Sequence, residues 1–240
     1  MVGKSQIKLI KSLQLKKNRI QHQLFVVEGL KTIQELLKSS FEVYKVFSTD
    51  AGFVSDNEEI SELISAADLK KMSSLNTPNG YLGVFKMSKV GAIQLNDWIV
   101  AVDTVQDPGN LGTIIRLCDW FGIKNLVCSA TTVDCYNPKV IQATMGSITR
   151  VNVTYLNLTD FLQTSELPIY GAFMDGERVY DSKISSKGIL VMGNEANGIS
   201  SEVATFITKR VSIPQFGAQT AESLNVATAT AILLNEIRRS

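Results

Sequence analysis

Residues 98–122 read WIVAVDTVQDPGNLGTIIRLCDWFG, and this stretch decides the fold class. The run WIVAVD (98–103) is almost continuously apolar, which is typical of a strand covered on both faces. A Pro-Gly turn follows, and LGTIIRLCDW then has the pattern of a helix that ends at Gly122. A buried strand that leads directly into a helix predicts an α/β fold with a parallel sheet.

The same alternation continues to the C-terminus, where NLVCS (125–129), VNVTYL (151–156), IYGAFM (169–174), ILVMG (189–193) and KRVSIP (209–214) predict strands. Helices are predicted between them and at the end, over SLNVATATAILLNEIRR (223–239). The first part is mixed, with strands expected at LFVVEG (24–29), VYKVFS (43–48) and YLGVFK (81–86) and helices around residues 7–13, 30–37 and 58–66. We therefore divide the chain into a small domain, residues 1–93, and an α/β domain, residues 94–240.

The composition excludes several classes of protein. Hydrophobic residues make up 45% and charged residues 20%, as expected for a soluble globular protein. No apolar run reaches the roughly 18 residues of a membrane span, and the lysine-rich N-terminus has no secretory signal, so we expect a cytoplasmic protein. The three cysteines lack CxxC spacing, and His22 is the only histidine. Multi-histidine metal sites are thereby excluded, and no metal is expected.

Basic residues concentrate near the N-terminus, although the whole chain carries a net charge of only +1. Residues 1–31 contain seven basic residues against one acid. Such a cluster can contact a nucleic acid, and it can equally be the solvated face of a lysine-rich helix. The candidate RNA contacts are Lys8, Lys11, Lys16, Lys17 and Arg19.

Three segments of the second domain carry polar residues beside glycines. In DPGNLGTIIR (107–116), Asn110 has the type of a helix N-cap, and Arg116 stands within an apolar run. In VMGNEANGIS (191–200), Glu195 follows a strand end, where ligands of open α/β sheets bind, but it could also only stabilise a helix N-terminus. In IPQFGAQTAESLNVATATAILLNE (213–236), Ser223 could be an N-cap and nothing more. Neither a Walker A loop nor a GxGxxG motif is present.

The order of these three segments resembles the motifs of the SpoU (TrmH-like) family of RNA 2′-O-ribose methyltransferases, in the SPOUT superfamily. The resemblance covers residues 98–240. A weaker likeness, in KLIKSLQLKK, FVVEG and LNTPNGYLGVF, relates the first part to the small L30e-like substrate-binding domain of many members. The resemblance implies a parallel-sheet α/β domain with a C-terminal trefoil knot, preceded by an L30e-like α/β domain.

Function is also implied by this resemblance. Members bind S-adenosylmethionine in the knot and form homodimers through it, and here Met192, Gly193, Asn194, Ile213 and Leu224 would surround the cofactor. The implied catalytic residues are Asn110, Arg116, Glu195, Ser223 and Asn225. The expected reaction is methyl transfer to a ribose 2′-hydroxyl in structured RNA, ribosomal RNA more than transfer RNA.

The role of Arg116 has two interpretations. A guanidinium with a pKa above about 12 is a weak base, so Arg116 is either an unusually perturbed base or a cation that binds phosphate and stabilises the developing alkoxide. Two other functions compete with the enzyme: a non-catalytic RNA-binding protein with a degenerate methylase domain, and a phosphate-binding α/β enzyme. The first is disfavoured because the polar motif residues are all present, and the second has only the glycine turns in its favour.

Overall fold

The computed structural model describes residues 2–217 and 223–239 and divides the chain into two compact units. The first unit comprises Met1–Lys89 with Asp134–Thr149, and the second comprises Val90–Val133 with Arg150–Ser240. Within the described ranges, no helix is long and apolar enough to span a bilayer.

Helices and strands alternate through most of the chain. The α-helices are α1 (Lys4–Ser12), α2 (Lys16–His22), α3 (Leu30–Leu37), α4 (Ala51–Asp56), α5 (Ala66–Met72), α6 (Pro108–Trp120), α7 (Pro138–Thr144), α8 (Leu158–Gln163), α9 (Ser201–Ala204) and α10 (Val226–Arg239). The strands are β1 (Leu24–Glu28), β2 (Val43–Ser48), β3 (Ser61–Leu63), β4 (Tyr81–Lys86), β5 (Ile99–Val102), β6 (Asn125–Ser129), β7 (Asn152–Leu156), β8 (Ile169–Arg178), β9 (Ile189–Met192) and β10 (Lys209–Ser212).

The first unit is built on a four-stranded sheet in the order β1-β4-β2-β3. Strand β4 is antiparallel to both of its neighbours, and β3 is parallel to β2. Apolar side chains of α1 and α5 pack against this sheet, among them Ile10, Leu13, Leu69 and Met72. The amphipathic helices of the N-terminal region thus bury their apolar faces as the helical spacing predicts.

The segment Asp134–Thr149 belongs to the first unit, although it follows β6 in the chain. Arg19 of α2 donates to the Asp134 carboxylate from Nε at 3.0 Å and from Nη2 at 2.6 Å. The rings of Phe25 and Tyr136 lie 4.6 Å apart between centroids, and α7 contacts β1. The chain therefore enters the second unit near residue 90, leaves it for these 16 residues and then returns.

The second unit contains a six-stranded sheet in the order β10-β8-β9-β5-β6-β7, and all its neighbouring strands are parallel. Strands β5, β6 and β9 are completely buried, and for β5 and β9 their continuous apolar sequences predict this burial. From β5 the chain continues to β6 and β7 on one side of β5, and the later strands β8, β9 and β10 lie on its other side. The strand order reverses at β5, and the carboxyl ends of strands at such a reversal are where α/β folds bind ligands. The predicted parallel-sheet α/β fold is confirmed for this unit.

One predicted helix is wrong. The apolar spacing of Ile60, Leu63 and Ile64 suggests a helix over residues 58–66, but residues 61–63 form strand β3 beside β2. The Ser61 hydroxyl lies 2.7 Å from the Asn57 carbonyl oxygen, within the turn that precedes this strand. Pairing with a neighbouring strand has overridden the local helical pattern, which a single sequence does not reveal.

Strand β8 is irregular against β10. Gly171 pairs with Arg210, yet the next residue of β10, Val211, pairs with Glu177, so residues 172–176 are extra on β8. A Cβ atom on Gly176 would lie only 2.6–2.8 Å from backbone atoms of Arg210 and Val211. Glycine is required at this position because two backbone segments approach too closely for a side chain.

Candidate active site

The first motif forms the turn between β5 and α6. Helix α6 begins at Pro108, and the Asp107 side chain caps it by accepting the Asn110 amide at 2.8 Å. The interpretation of Asn110 as the N-cap is therefore wrong: Asn110 lies in the first turn, and its side chain is available for other contacts. Arg116 lies further along α6 on an exposed face.

The second motif forms a tight loop after β9. The Asn194 amide donates to the Gly198 carbonyl oxygen at 2.8 Å, and the Gly198 amide donates back at 2.9 Å. A Cβ atom on Gly193 would come within 2.2 Å of the Gly198 carbonyl carbon, and Gly198 has φ +68°. Glycine is required at position 193 for the loop to close, because a Cβ atom would collide with the backbone of Gly198. This requirement is separate from any need to leave room for a ligand.

Glu195 connects this loop to the first motif. Its carboxylate accepts the Asn110 side-chain amide at 2.9 Å and longer bonds from the backbone amides of Gln106 and Asp107 at 3.4 and 3.3 Å. Glu195 does not lie at the start of the helix that follows it in sequence, α9, but beside the loop that precedes α6. An acid held by several N–H donors is oriented by all of them at once.

The third motif completes the chain of contacts through Asn225. This residue precedes α10, and its Oδ1 accepts the amides of Ala227 at 2.9 Å and Thr228 at 3.2 Å. Asn225, and not Ser223, is therefore the residue that caps α10. Its Nδ2 then donates to Asn110 Oδ1 at 2.8 Å. Because helix amides fix one end and a carboxylate fixes the other, the orientation of both side-chain amides is determined. We call Asn225, Asn110 and Glu195 the polar relay.

A cleft of about 450 Å³ opens beside the polar relay in the second unit. Its walls come from β8, the loop after β9, the end of β10 with the residues after it, and one face of α10. All five predicted cofactor residues line the cleft, as do Glu195 and Ser223. The lining combines apolar side chains with a few polar groups, and its principal members are Phe173, Met174, Met192, Gly193, Asn194, Val211, Ile213, Gln215, Leu224, Ala229 and Leu233.

The structure brings together most of the predicted catalytic residues, but not Arg116. Asn110, Glu195 and Asn225 are bonded to one another, and Ser223 lies at the cleft. The side chain of Arg116 is exposed and makes no hydrogen bond or ion pair with the described part of the chain. Four residues further along the same face, Trp120 is 81% exposed.

The candidate RNA contacts in the first unit divide into two kinds. Lys8, Lys11, Lys16 and Lys17 are exposed. Arg19 is only 2% exposed, and besides Asp134 its guanidinium donates to the carbonyl oxygen of Leu13 at 2.8 Å. The expectation that Arg19 faces RNA is therefore wrong, because its donors are consumed inside the first unit.

Sequence reasoning missed Asp103, which ends the decisive strand. Its amide donates to the Met192 carbonyl oxygen at 2.8 Å, and its carboxylate accepts the Ser200 amide at 2.8 Å. Asp103 therefore joins the end of β5 to the segment after β9. The signal in the sequence was an acidic residue directly after a continuous apolar run, because an acid at the end of a buried strand needs hydrogen-bond partners. By contrast, Cys118 faces the core of the second unit, and burial raises the pKa of its thiol, so it is not a reactive nucleophile.

Comparison with known proteins identifies the family. The profile of the SpoU rRNA methylase family matches residues 97–235, and that of the MRM3-like substrate-binding domain matches residues 4–83. The chain belongs to the SpoU rRNA methylase family. The two matches together span most of the sequence.

Relatives and solved structures agree with this assignment. The 23S rRNA guanosine 2′-O-methyltransferase RlmP of Bacillus subtilis is 30% identical over 95% of this chain and 94% of its own length. A TrmH-family protein from Porphyromonas gingivalis superimposes with a TM-score of 0.90 at 37% identity, covering 100% of this chain and 99% of that one. An AdoMet-bound rRNA methyltransferase from Sinorhizobium meliloti has a TM-score of 0.88 at 27% identity, with 100% and 97% covered. The predicted family, enzyme class and cofactor, those of an S-adenosylmethionine-dependent RNA 2′-O-methyltransferase, are thereby confirmed.

Proposed function

We propose that this protein transfers the methyl group of S-adenosylmethionine to the ribose 2′-hydroxyl of a nucleotide in ribosomal RNA. The observation that carries the proposal is the polar relay, which ties the three motifs of a SpoU-family chain together at the rim of one cleft. Ribosomal RNA is favoured over transfer RNA because RlmP, which resembles this chain over nearly its full length, acts on 23S rRNA.

The cleft fits S-adenosylmethionine in size and chemistry. A volume of about 450 Å³ lies within the range of small-molecule sites, and such sites combine apolar walls with a few polar groups. Met192, Ile213 and Leu224 offer apolar surface for the adenosine, and Asn194 and the backbone at Gly193 offer hydrogen-bonding groups. When bound, the cofactor supplies a methyl group on a positively charged sulfur, which a correctly aligned oxygen atom can accept.

In our proposal, the protein's own residues align and polarise the ribose. Glu195, Asn110 and Asn225 hold one another in a single orientation, and alignment of the reacting atoms is a large part of catalysis for such a transfer. Ser223 lines the same cleft, and its hydroxyl group adds a hydrogen-bonding group for the ribose. Arg116 acts as a permanent cation, since a guanidinium does not release its proton in proteins. It binds phosphate and stabilises the negative charge that develops on the 2′-oxygen as the hydroxyl proton passes to water.

The first unit would dock the RNA. We propose that residues 1–93 form the L30e-like substrate-binding domain and that residues 94–240 form the methyltransferase domain. The match of residues 4–83 to the MRM3-like substrate-binding domain supports this division of roles. The exposed side chains of Lys8, Lys11, Lys16 and Lys17 provide cations for the phosphate backbone, which supplies much of the affinity in such complexes.

We further propose a trefoil knot in the second unit and a homodimer formed through it. The close backbone approach between Gly176 and residues 210–211 is consistent with one segment threaded past another. The exposed face of α6 carries Arg116 beside an almost fully exposed Trp120, and burial of that ring against a partner subunit would direct Arg116 towards the partner's cleft. We place the activity in the cytoplasm, where buried thiols such as Cys118 stay reduced.

The direct test is methylation of RNA by the purified protein. Incubation with S-adenosylmethionine labelled in the methyl group and ribosomal RNA from a strain lacking the gene should label the RNA, and the product should carry a 2′-O-methyl mark that blocks alkaline cleavage. Ribosomal RNA from the complete strain, already modified, should take up little label. Tight binding of the cofactor with no label in any RNA would reject the proposal in favour of a non-catalytic RNA-binding protein.

A further inference from the structure

A strained residue stands next to the polar relay. Thr104, directly after Asp103, has φ +59°. A β-branched residue in this left-handed region is an outlier, and such residues persist only where the surroundings hold them. Helix caps and loop tips ordinarily use glycine or asparagine for this conformation, so a threonine here calls for a specific reason.

Hydroxyl groups at the end of the neighbouring strand β6 hold Thr104 in place. The Thr104 amide donates to the Ser129 hydroxyl at 2.9 Å, and the Thr104 and Thr131 hydroxyls lie 2.8 Å apart. Ser129 also lies 3.0 Å from the hydroxyl of Thr132, which in turn donates to the Val102 carbonyl oxygen at 3.4 Å. We call Ser129, Thr131 and Thr132 the hydroxyl cluster.

The Asp103 carboxylate determines the direction of the hydrogen bond between Thr104 and Thr131. The Thr104 hydroxyl donates to the Asp103 carboxylate at 3.1 Å, because an ionised carboxylate only accepts. Each hydroxyl has one proton, so Thr131 must donate to Thr104. Thr104 is therefore fixed through both its backbone amide and its side chain.

The consequence of this arrangement lies at the cofactor loop. In the left-handed conformation, the Thr104 carbonyl oxygen accepts Asn194 Nδ2 at 2.7 Å. Asn194 Oδ1 at the same time accepts the amides of Ala196 and Asn197 at 2.9 and 3.0 Å, which shapes the loop that carries Glu195. A path of hydrogen bonds thus runs from the hydroxyl cluster through Thr104 and Asn194 to the loop of Glu195.

We propose that Ser129 and Thr131 are positioning residues for methyl transfer, which act by holding Thr104 in its left-handed conformation and thereby fixing Asn194 and the Glu195 end of the polar relay. This inference deepens the proposed function and rests on it. Neither residue touches the cleft, so their contribution is to the rate of transfer more than to cofactor affinity.

The first experiment compares Ser129→Ala with a matched control, Ser48→Ala. Ser48 is also a buried serine at a strand end, it accepts the Asp50 amide at 3.0 Å, and it belongs to the first unit. With ribosomal RNA and S-adenosylmethionine both saturating, Ser129→Ala should slow single-turnover methyl transfer by roughly tenfold or more, since small misplacements of reacting groups are costly. Ser48→Ala should transfer at the wild-type rate even where its thermal unfolding shifts by the same amount.

Two further variants separate positioning from folding. Thr131 is exposed, so Thr131→Val should fold normally and still slow transfer. In the Ser129→Ala background, Thr104→Gly should restore part of the rate, because glycine adopts the left-handed conformation without the support of Ser129. Cofactor affinity, measured by titration calorimetry, should change far less than the rate in each variant.

The outcomes are distinguishable from those of the proposed function. If the wild-type protein methylates RNA but Ser129→Ala slows transfer no more than Ser48→Ala does, or if Thr104→Gly restores nothing, the inference is overturned and the proposed function stands. If the wild-type protein methylates no RNA, the proposed function fails. Hydrogen–deuterium exchange over residues 193–198 then tests the positioning alone, with faster exchange expected in Ser129→Ala and unchanged exchange in Ser48→Ala; equal exchange in both would overturn it.

Discussion

Two arginines on helices of the two units have opposite surroundings. Arg19 of α2 is almost fully buried, and its guanidinium donates to Asp134 and to backbone carbonyl oxygens. Arg116 of α6 is exposed, and its side chain has no hydrogen-bonding or ion-pair partner within residues 2–217 and 223–239. The sequence predicts an RNA contact for Arg19, and for Arg116 it predicts either a perturbed base or a cation that binds phosphate and stabilises the developing alkoxide.

The comparison shows how the surroundings of a cation determine its use. Removing a guanidinium from water is costly unless its donors are satisfied, so a buried arginine is held by its partners and is not accessible to a ligand. An exposed arginine without a partner keeps all its donors for a substrate phosphate. We therefore expect substitution of Arg19 to lower stability and substitution of Arg116 to lower catalytic activity.

The largest expected effect is that of Arg19→Met on stability. Removal of the guanidinium leaves the Asp134 carboxylate largely buried without its partner, which should lower the free energy of unfolding by about 3–5 kcal/mol. Denaturant titration measures this change. Arg19→Met combined with Asp134→Leu should recover much of the loss, because a pair of apolar residues leaves no uncompensated charge; failure to recover any would mean that the pair is not the source of the stability.

The next effect is that of Arg116→Ala on the reaction. We expect the rate of transfer at saturating substrates to fall by about 10²–10³, as for loss of one group that stabilises developing charge, while cofactor binding persists. The free energy of unfolding should stay within about 0.5 kcal/mol, as for an exposed residue. Arg116→Lys, which keeps the charge but loses the planar fork, serves as the comparison and should retain intermediate activity. Equal loss of cofactor binding and transfer would instead indicate damage to the cleft.

The different outcomes for these arginines show what one sequence can predict. Continuous apolar runs identified β5 and β9, because a strand buried on both faces needs no polar residue along its length. The burial of Arg19 was not predictable, because its partner Asp134 lies 115 residues away in the chain. Local patterns report local structure, and only tertiary contact decides whether a charged side chain is satisfied inside the protein.

The candidate site was predictable in its membership but not in its geometry. Motif resemblance named Asn110, Glu195 and Asn225, yet no sequence feature states that their side chains bond to one another in a fixed order. The capping residues were displaced for the same reason: Asp107 caps α6 where Asn110 was expected. Several Asp, Asn and Ser residues near a helix start are equally suitable caps, and the fold selects among them. Residues 218–222, within the third motif, lie outside the described residues.

A smaller effect is expected for the exposed lysines on the same helix as Arg19. Lys16→Ala and Lys17→Ala should leave the free energy of unfolding within about 0.5 kcal/mol of the wild-type value. If each contacts one phosphate, each change should reduce the slope of log affinity for RNA against log salt by about 0.7–0.9. Filter binding at several salt concentrations measures the slope. Lys38→Ala, which removes an exposed lysine of the first unit outside the candidate cluster, is the control; an unchanged slope for both Lys16 and Lys17 variants would remove α2 from the RNA surface.

The smallest effect concerns Arg238, an exposed arginine that does have partners. It donates to both carboxylate oxygens of Asp97 at 2.9 Å and to the Phe121 carbonyl oxygen at 2.8 Å. The hydrogen bond from Arg238 lowers the pKa of Asp97, although solvent screening limits the energy of such a pair. We expect Arg238→Ala to lower the free energy of unfolding by about 0.5–1 kcal/mol near neutral pH.

The pH dependence of that loss distinguishes the ion pair from simple packing. An aspartate whose pKa is lowered in the folded state contributes stability above its unfolded pKa of about 3.9, and the contribution disappears as the pH falls through the lower, folded value. The difference in unfolding free energy between the wild-type protein and Arg238→Ala should therefore be constant from pH 7 to about pH 5 and shrink below about pH 4. Asp97→Asn should show the same loss at pH 7 and little further change in acid. A difference that persists unchanged at pH 3 would mean that Arg238 stabilises the protein through its bond to the Phe121 carbonyl oxygen and its packing, and not through the ion pair with Asp97.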